Sequence, residues 1–136
     1  MSRNVEAKIF YGIIYRQEEL PDDVNYYCDW GVLLANAKNA DKDYGVSTEL
    51  YVDANKLKEE SLCTVELLGC DDDLLDCVCV KESLQTTGWF DELDIGKITR
   101  LCAYDEEKWN NQLEEFCEAI GAKYEQPKWI IGVLDF

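Results

Sequence analysis

Histidine is absent from the 136 residues, and cations are scarce: 13 lysines and arginines stand against 29 aspartates and glutamates, for a formal net charge of −16 at pH 7. The lack of histidine removes His-based catalytic triads, His-ligated zinc and the commonest general base. The shortage of cations works against direct nucleic-acid binding, which is driven by lysines and arginines displacing phosphate counterions. Anionic membrane surfaces are disfavoured for the same reason. No apolar run approaches the roughly 20 residues needed to cross a bilayer; the longest, Ile9-Phe10-Tyr11-Gly12-Ile13-Ile14-Tyr15, is far shorter. Also missing are the G-x-S-x-G elbow, the phosphate-cradling G-x-x-x-x-G-K-[ST] loop, the dinucleotide fingerprint and any C-x₂-C pair of the kind structural zinc sites use. No cofactor is therefore expected.

What is present is 47% hydrophobic residues, 12% aromatics and seven cysteines, at positions 28, 63, 70, 77, 79, 102 and 117. That apolar content suffices for a core in one domain spanning 1–136. The cysteine count is odd and the N-terminus carries no secretory pattern, so the thiols read as small packed residues of a protein in a reducing cytoplasm. Cys77-Val78-Cys79 is the nearest approach to a metal motif, since two cysteines two apart share a strand face. Asp71-Asp72-Asp73 with Asp76 fails the calcium-loop pattern, because Asp76 falls where the sixth-position glycine belongs.

Periodicity gives an α+β order. Residues 5–16 are apolar on both faces, as an interior strand would be. A helix is expected from Pro21-Asp22-Asp23 to about Asn39, and a half-exposed strand over 47–53 with Thr48, Leu50 and Val52 on one side. A short helix 54–61 then follows, capped by Asp53. Cys63–Leu68 and Cys77–Lys81 read as a hairpin with an acidic tip. Residues 82–100 read as a long loop with one short strand at most. A helix capped by Asp105 and ended by Gly121 follows, then a last strand, Lys128–Phe136. The expectation is a single-domain, mixed or mostly antiparallel sheet of about five strands carrying two main helices, with the two terminal strands adjacent in its middle.

The charge pattern is the most specific functional signal. On helix 105–120 the apolar residues Trp109, Leu113, Phe116, Cys117 and Ile120 form one stripe, and Glu107, Glu114 and Glu118 fall opposite it with Glu106 and Glu115 at the margins. Glu114 and Glu118 lie about 6 Å apart along the axis, and Glu107 and Glu114 about 10 Å. Phosphates of a nucleic-acid strand are spaced on that scale. Such a face, extended by Asp91 and Glu92 and anchored by the loop aromatics Trp89 and Phe90, is suited to the basic groove of a nucleic-acid-binding protein. An acidic surface that only maintains solubility remains the plain alternative. Another is a small-ligand or metal-sequestering domain with 82–100 as its lid.

The runs VELLGC…CVCVKES, WFDELDIGKI, EEKWNNQLEEFCEAIGAKY and PKWIIGVLDF are similar in layout to small acidic proteins of unassigned function encoded by tailed phages. The resemblance covers about half the chain. It implies a phage origin and action in the bacterial cytoplasm. Taken with the acidic face, the expectation is a non-enzymatic phage accessory protein, an anti-defence inhibitor whose partner is a basic host protein. The resemblance carries no site residue across.

Overall fold

β1, Val5–Tyr15, is an eleven-residue strand with hydrogen-bonded neighbours on both edges. In the computed structural model, which describes residues 5–15, 30–38, 48–70, 73–87 and 95–135, it is followed by α1 (Trp30–Lys38) and α2 (Glu49–Glu60). The hairpin β2 (Cys63–Cys70) and β3 (Asp73–Val80) comes next, then a 3-10 turn (Lys81–Ser83), β4 (Gln85–Thr87), α3 (Ile95–Ile120) and β5 (Lys128–Asp135).

β1 pairs antiparallel with β5 along nearly its whole length, from Val5 opposite Asp135 to Gly12 opposite Lys128. Its other edge is shared: β4 takes Ala7 to Ile9, and β3 takes Gly12 to Tyr15. Between them the 3-10 turn lifts the chain away. Ser83 fills the gap, its hydroxyl accepting from the Tyr11 amide at 2.8 Å and donating to the Val80 carbonyl at 2.7 Å, fully buried. One serine thus replaces a missing ladder bond and leaves no orphaned donor on the central strand.

The remaining pairings bend the sheet round. β3 pairs antiparallel with β2, and β2 meets β5 in parallel at Gly69–Cys70. The circuit β1–β3–β2–β5–β1 therefore closes, and the sheet is mixed, with the strand order β3-β2-β5-β1-β4.

Alternation along β1 sends its side chains into two cores. Tyr11, Ile13 and Tyr15 join Val65, Val78, Val80 and the helix residues Trp30, Leu34, Trp109, Leu113 and Phe116 in the larger one. Phe10 joins Leu68, Cys77 and Cys79 in a smaller one on the opposite face, where Leu84 and Ile130 pack. Inside the closed circuit the space is tight. A Cβ at Gly12 would sit 2.1 Å from the Val78 carbonyl oxygen and 2.8 Å from Cys79 Cα, both backbone atoms. β5 lies between β2 and β1 in this arrangement, and its Ile131 and Val133 are exposed.

Several expectations are corrected. The strand expected over 47–53 is not found over its described part, 48–53, since α2 begins at Glu49. Thr48, Leu50 and Val52 do alternate, but Leu50, Ala54 and Leu57 recur at i, i+4 and i+7, and it is Ala54 that is buried while Val52 is exposed. Asp53 is inside that helix rather than at its N-cap; Thr48 holds that position, without a side-chain cap bond. Among the described residues there are three helices, and α2, at 12 residues, is longer than α1, at nine. α3 starts at Ile95 rather than Asp105, which lies in its interior. Ile95, Ile98 and Leu101 continue the helical spacing upstream, and the single glycine at 96 does not stop it. The hairpin arms run further toward the tip, to Cys70 opposite Asp73. Gly121 does end α3, with φ +78° and the Ala122 amide bonded back to the Cys117 carbonyl at 2.9 Å. The helix start expected at Pro21-Asp22-Asp23 lies outside the described residues.

Because the atoms facing Gly12 are backbone, Gly12→Ala is expected to cost about 2 kcal/mol or more, as overpacking does. Denaturant unfolding of the variant measures this; an unchanged midpoint would contradict the closed circuit.

Candidate functional site

The 26 residues of α3 make a rod about 39 Å long, and one side of its C-terminal half is fastened to the sheet at several points. Trp109 is fully buried, its ring 5.8 Å from Tyr11 and 5.9 Å from Trp129, with its indole N–H donating to the Glu82 carboxylate at 3.2 Å. Tyr11 donates its hydroxyl to Asn110 Oδ1 at 2.6 Å. One helical turn or two further on, Phe116 meets Trp30 edge-on at 5.3 Å, and Tyr15 bonds through its hydroxyl to the Lys123 carbonyl at 2.6 Å. These contacts fix the rotation of the helix about its axis.

That rotation decides where the acids go. Trp109, Leu113, Phe116, Cys117 and Ile120 are buried, and Glu106, Glu107, Glu114, Glu115 and Glu118 are all exposed. Lys108 is the only cation on the exposed part of this stretch. Glu107, Glu114 and Glu118 are thus brought onto one outward face, as their spacing predicts. Trp89, Phe90, Asp91 and Glu92, expected beside it, lie outside the described residues, as do Asp71 and Asp72 of the hairpin tip. Trp30, at the start of α1, is buried in the larger core.

The other chemistry-bearing groups are inside. Cys63, Cys77, Cys79 and Cys117 are buried, and Cys70 is exposed; all five are free. Burial pushes the Cys63 and Cys77 thiols up to about 12 and raises the Cys79 thiol well above its ordinary range, with neighbouring Cys117, Asp76 and Glu66 charges respectively adding to the effect. Cys117 is raised by burial too, and a hydrogen bond with Tyr15 eases it. Such thiols are poor nucleophiles and poor metal ligands, since both roles need the thiolate. Among the described residues no three His, Cys, Asp or Glu side chains are grouped to hold a metal ion.

Two further features were not foreseen. Lys8 is buried on the inner face of β1, where its ammonium donates to the Leu67 carbonyl at 3.3 Å. Near it Glu66 has its carboxyl raised by burial, an effect that the Lys8 charge opposes and Glu6 reinforces. The second is a pocket of about 220 Å³ between α1, α3 and the turn from α2 into β2, with Gln112 and Glu115 on its α3 side. A lysine in an otherwise apolar strand is the signal that could have found the first. The pocket draws on three separate segments and leaves no mark in any one of them.

No helix among the described residues is long and apolar enough to cross a membrane. No protein-family model, curated protein or solved structure matches the chain.

The raised thiols have an alkaline consequence. The unfolded chain ionises its cysteines near the ordinary value of 9.0, whereas the folded chain holds Cys63 and Cys77 protonated up to about 12. Stability is therefore whole below pH 9 and falls as pH rises between these values. Timed alkylation read by peptide mapping checks the same burial at pH 8: Cys70 is expected to react before Cys63, Cys77, Cys79 and Cys117. Labelling of Cys63 or Cys77 at the same rate would contradict it.

Proposed function

We propose that the protein is a non-enzymatic acidic binder whose outward face of α3 meets a basic, nucleic-acid-binding protein. The observation that carries this reading is the segregation on α3 itself: Glu107, Glu114 and Glu118 share one exposed face of a helix whose opposite face is locked into the core. Their axial steps of about 6 and 10 Å are close to two and three phosphate steps along a strand, at about 3.4 Å each. A partner built to grip phosphates meets carboxylates at matching intervals. The net charge of −16 adds long-range attraction, which raises the association rate and makes it fall with salt.

The buried, protonated state of four thiols speaks for binding over nucleophilic chemistry. In the setting that the phage resemblance implies, the partner is a host nucleic-acid-binding or defence protein, and occupying its groove inhibits it.

Affinity capture from bacterial lysate tests the reading. Captured proteins are expected to be basic, to elute as salt rises toward about 0.5 M, where screening acts over only a few ångströms, and to be displaced by added DNA. Capture of neutral or acidic proteins, or capture indifferent to both salt and DNA, would contradict it.

A further inference from the structure

We infer that the pocket at the ends of α1 and α2 receives an arginine side chain of the basic partner. This rests on the proposed binding face and adds to it a socket for one residue type. The two are contiguous, because Glu115 of α3 belongs to both the exposed acidic surface and the pocket wall.

Size comes first. At about 220 Å³ the pocket is smaller than the roughly 300–1,000 Å³ of sites that take cofactor-sized ligands, and is suited to a single long side chain. Charge comes second. Lys38, the last residue of α1, and Glu60, the last of α2, both line it, so two helix C-termini with their partial negative charges open there. The end of α2 already draws one ammonium, since Lys81 Nζ donates to the Lys58 and Glu59 carbonyls. The carboxylates of Glu60 and Glu115 outnumber the single Lys38 ammonium, whose flexible stem lets it stay in solvent.

Hydrogen bonding comes third. The side-chain oxygen of Gln112 is buried at the pocket and has no donor. An acceptor in that state is costly to leave unanswered. Its terminal torsion is soft, so the amide can turn that oxygen toward a donor entering the pocket. A guanidinium brings five donors in a plane, enough to serve Gln112, Glu115 and helix-end carbonyls together, while an ammonium is a more strongly hydrated point charge. Leu34 and Phe116 offer apolar wall to the methylene stem.

The test is an NMR titration of the full ¹⁵N-labelled chain with Nα-acetyl-arginine amide, its citrulline counterpart, which has nearly the same shape without the charge, and Nα-acetyl-lysine amide. Saturable shifts are expected at Leu34, Gln112, Glu115 and Ala119 with the arginine compound, with affinity about tenfold lower for citrulline, the loss typical of one missing charge-assisted contact. The lysine compound is expected to fall between them. Glu115→Gln and Gln112→Leu should each weaken arginine binding about threefold or more, and Ala119→Trp should abolish it by filling the space. If Ala119→Trp does not fold, Glu115→Gln alone decides. Equal binding of citrulline, or no shifts at the pocket, overturns the inference. Free arginine binding about tenfold more tightly than the blocked amide also overturns it, because the ligand would then be the amino acid and not a partner's side chain. An absent arginine response with salt-dependent capture intact removes the pocket and spares the α3 reading. An intact response with capture indifferent to salt does the reverse.

Discussion

The rest of the structure depends on the double burial of β1. A strand that sends Tyr11, Ile13 and Tyr15 to one side and Lys8, Phe10 and Gly12 to the other cannot be satisfied by a single layer. The larger core answers one side with α1 and α3. The other is answered by the sheet itself, which curls until β2 meets β5 and encloses Phe10, Leu68, Cys77 and Cys79. Gly12 and the buried Ser83 are the local concessions that make this possible, one by having no side chain where the Val78 backbone approaches, the other by supplying a bond the interrupted β3–β4 edge cannot. Cysteine suits the interior for the same steric reason, as a small apolar residue that fits between crowded strands.

The surface follows from that interior. Once Trp109 is seated against Tyr11 of β1 and Trp129 of β5, and Phe116 against Trp30 of α1, the rotation of α3 is fixed, and Glu107, Glu114 and Glu118 face outward together. Grouping like charges in this way works against folding. Lys8 and Glu66 show the opposite arrangement, an opposed pair of charges drawn partly inside where their attraction offsets some of the desolvation.

Legibility in the sequence divided along the range of the interactions. β1, β5, the hairpin and the stripe of α3 could be read from period alone, because each buries a face whose repeat matches its backbone. The adjacency of the two end strands was also read, from their shared apolar character. Residues 47–53 misled because Thr48, Leu50 and Val52 satisfy the strand repeat while Leu50, Ala54 and Leu57 satisfy the helical one, and only packing of Ala54 against α1 at Gly31 decides between them. The start of α3 was hidden by Gly96, read as a break. Circuit closure, the Ser83 bridge and the Gln112 pocket join residues far apart in the chain, and no local pattern encodes them. Of the site, the positions of Glu107, Glu114 and Glu118 on one face were legible for the same reason as the stripe they oppose.

The central claim is that the placement of the carboxylates on α3, and not their total number, makes the binding face. Two variants that lose the same three charges separate these directly: Glu107→Gln/Glu114→Gln/Glu118→Gln on α3, and Glu49→Gln/Glu59→Gln/Glu125→Gln elsewhere. Measured against one captured basic partner at low salt, the α3 variant is expected to bind about tenfold or more weakly and the control within about twofold of the parent, since local complementarity outweighs the distant field. Equal losses in both would show that only net charge matters and would contradict the account.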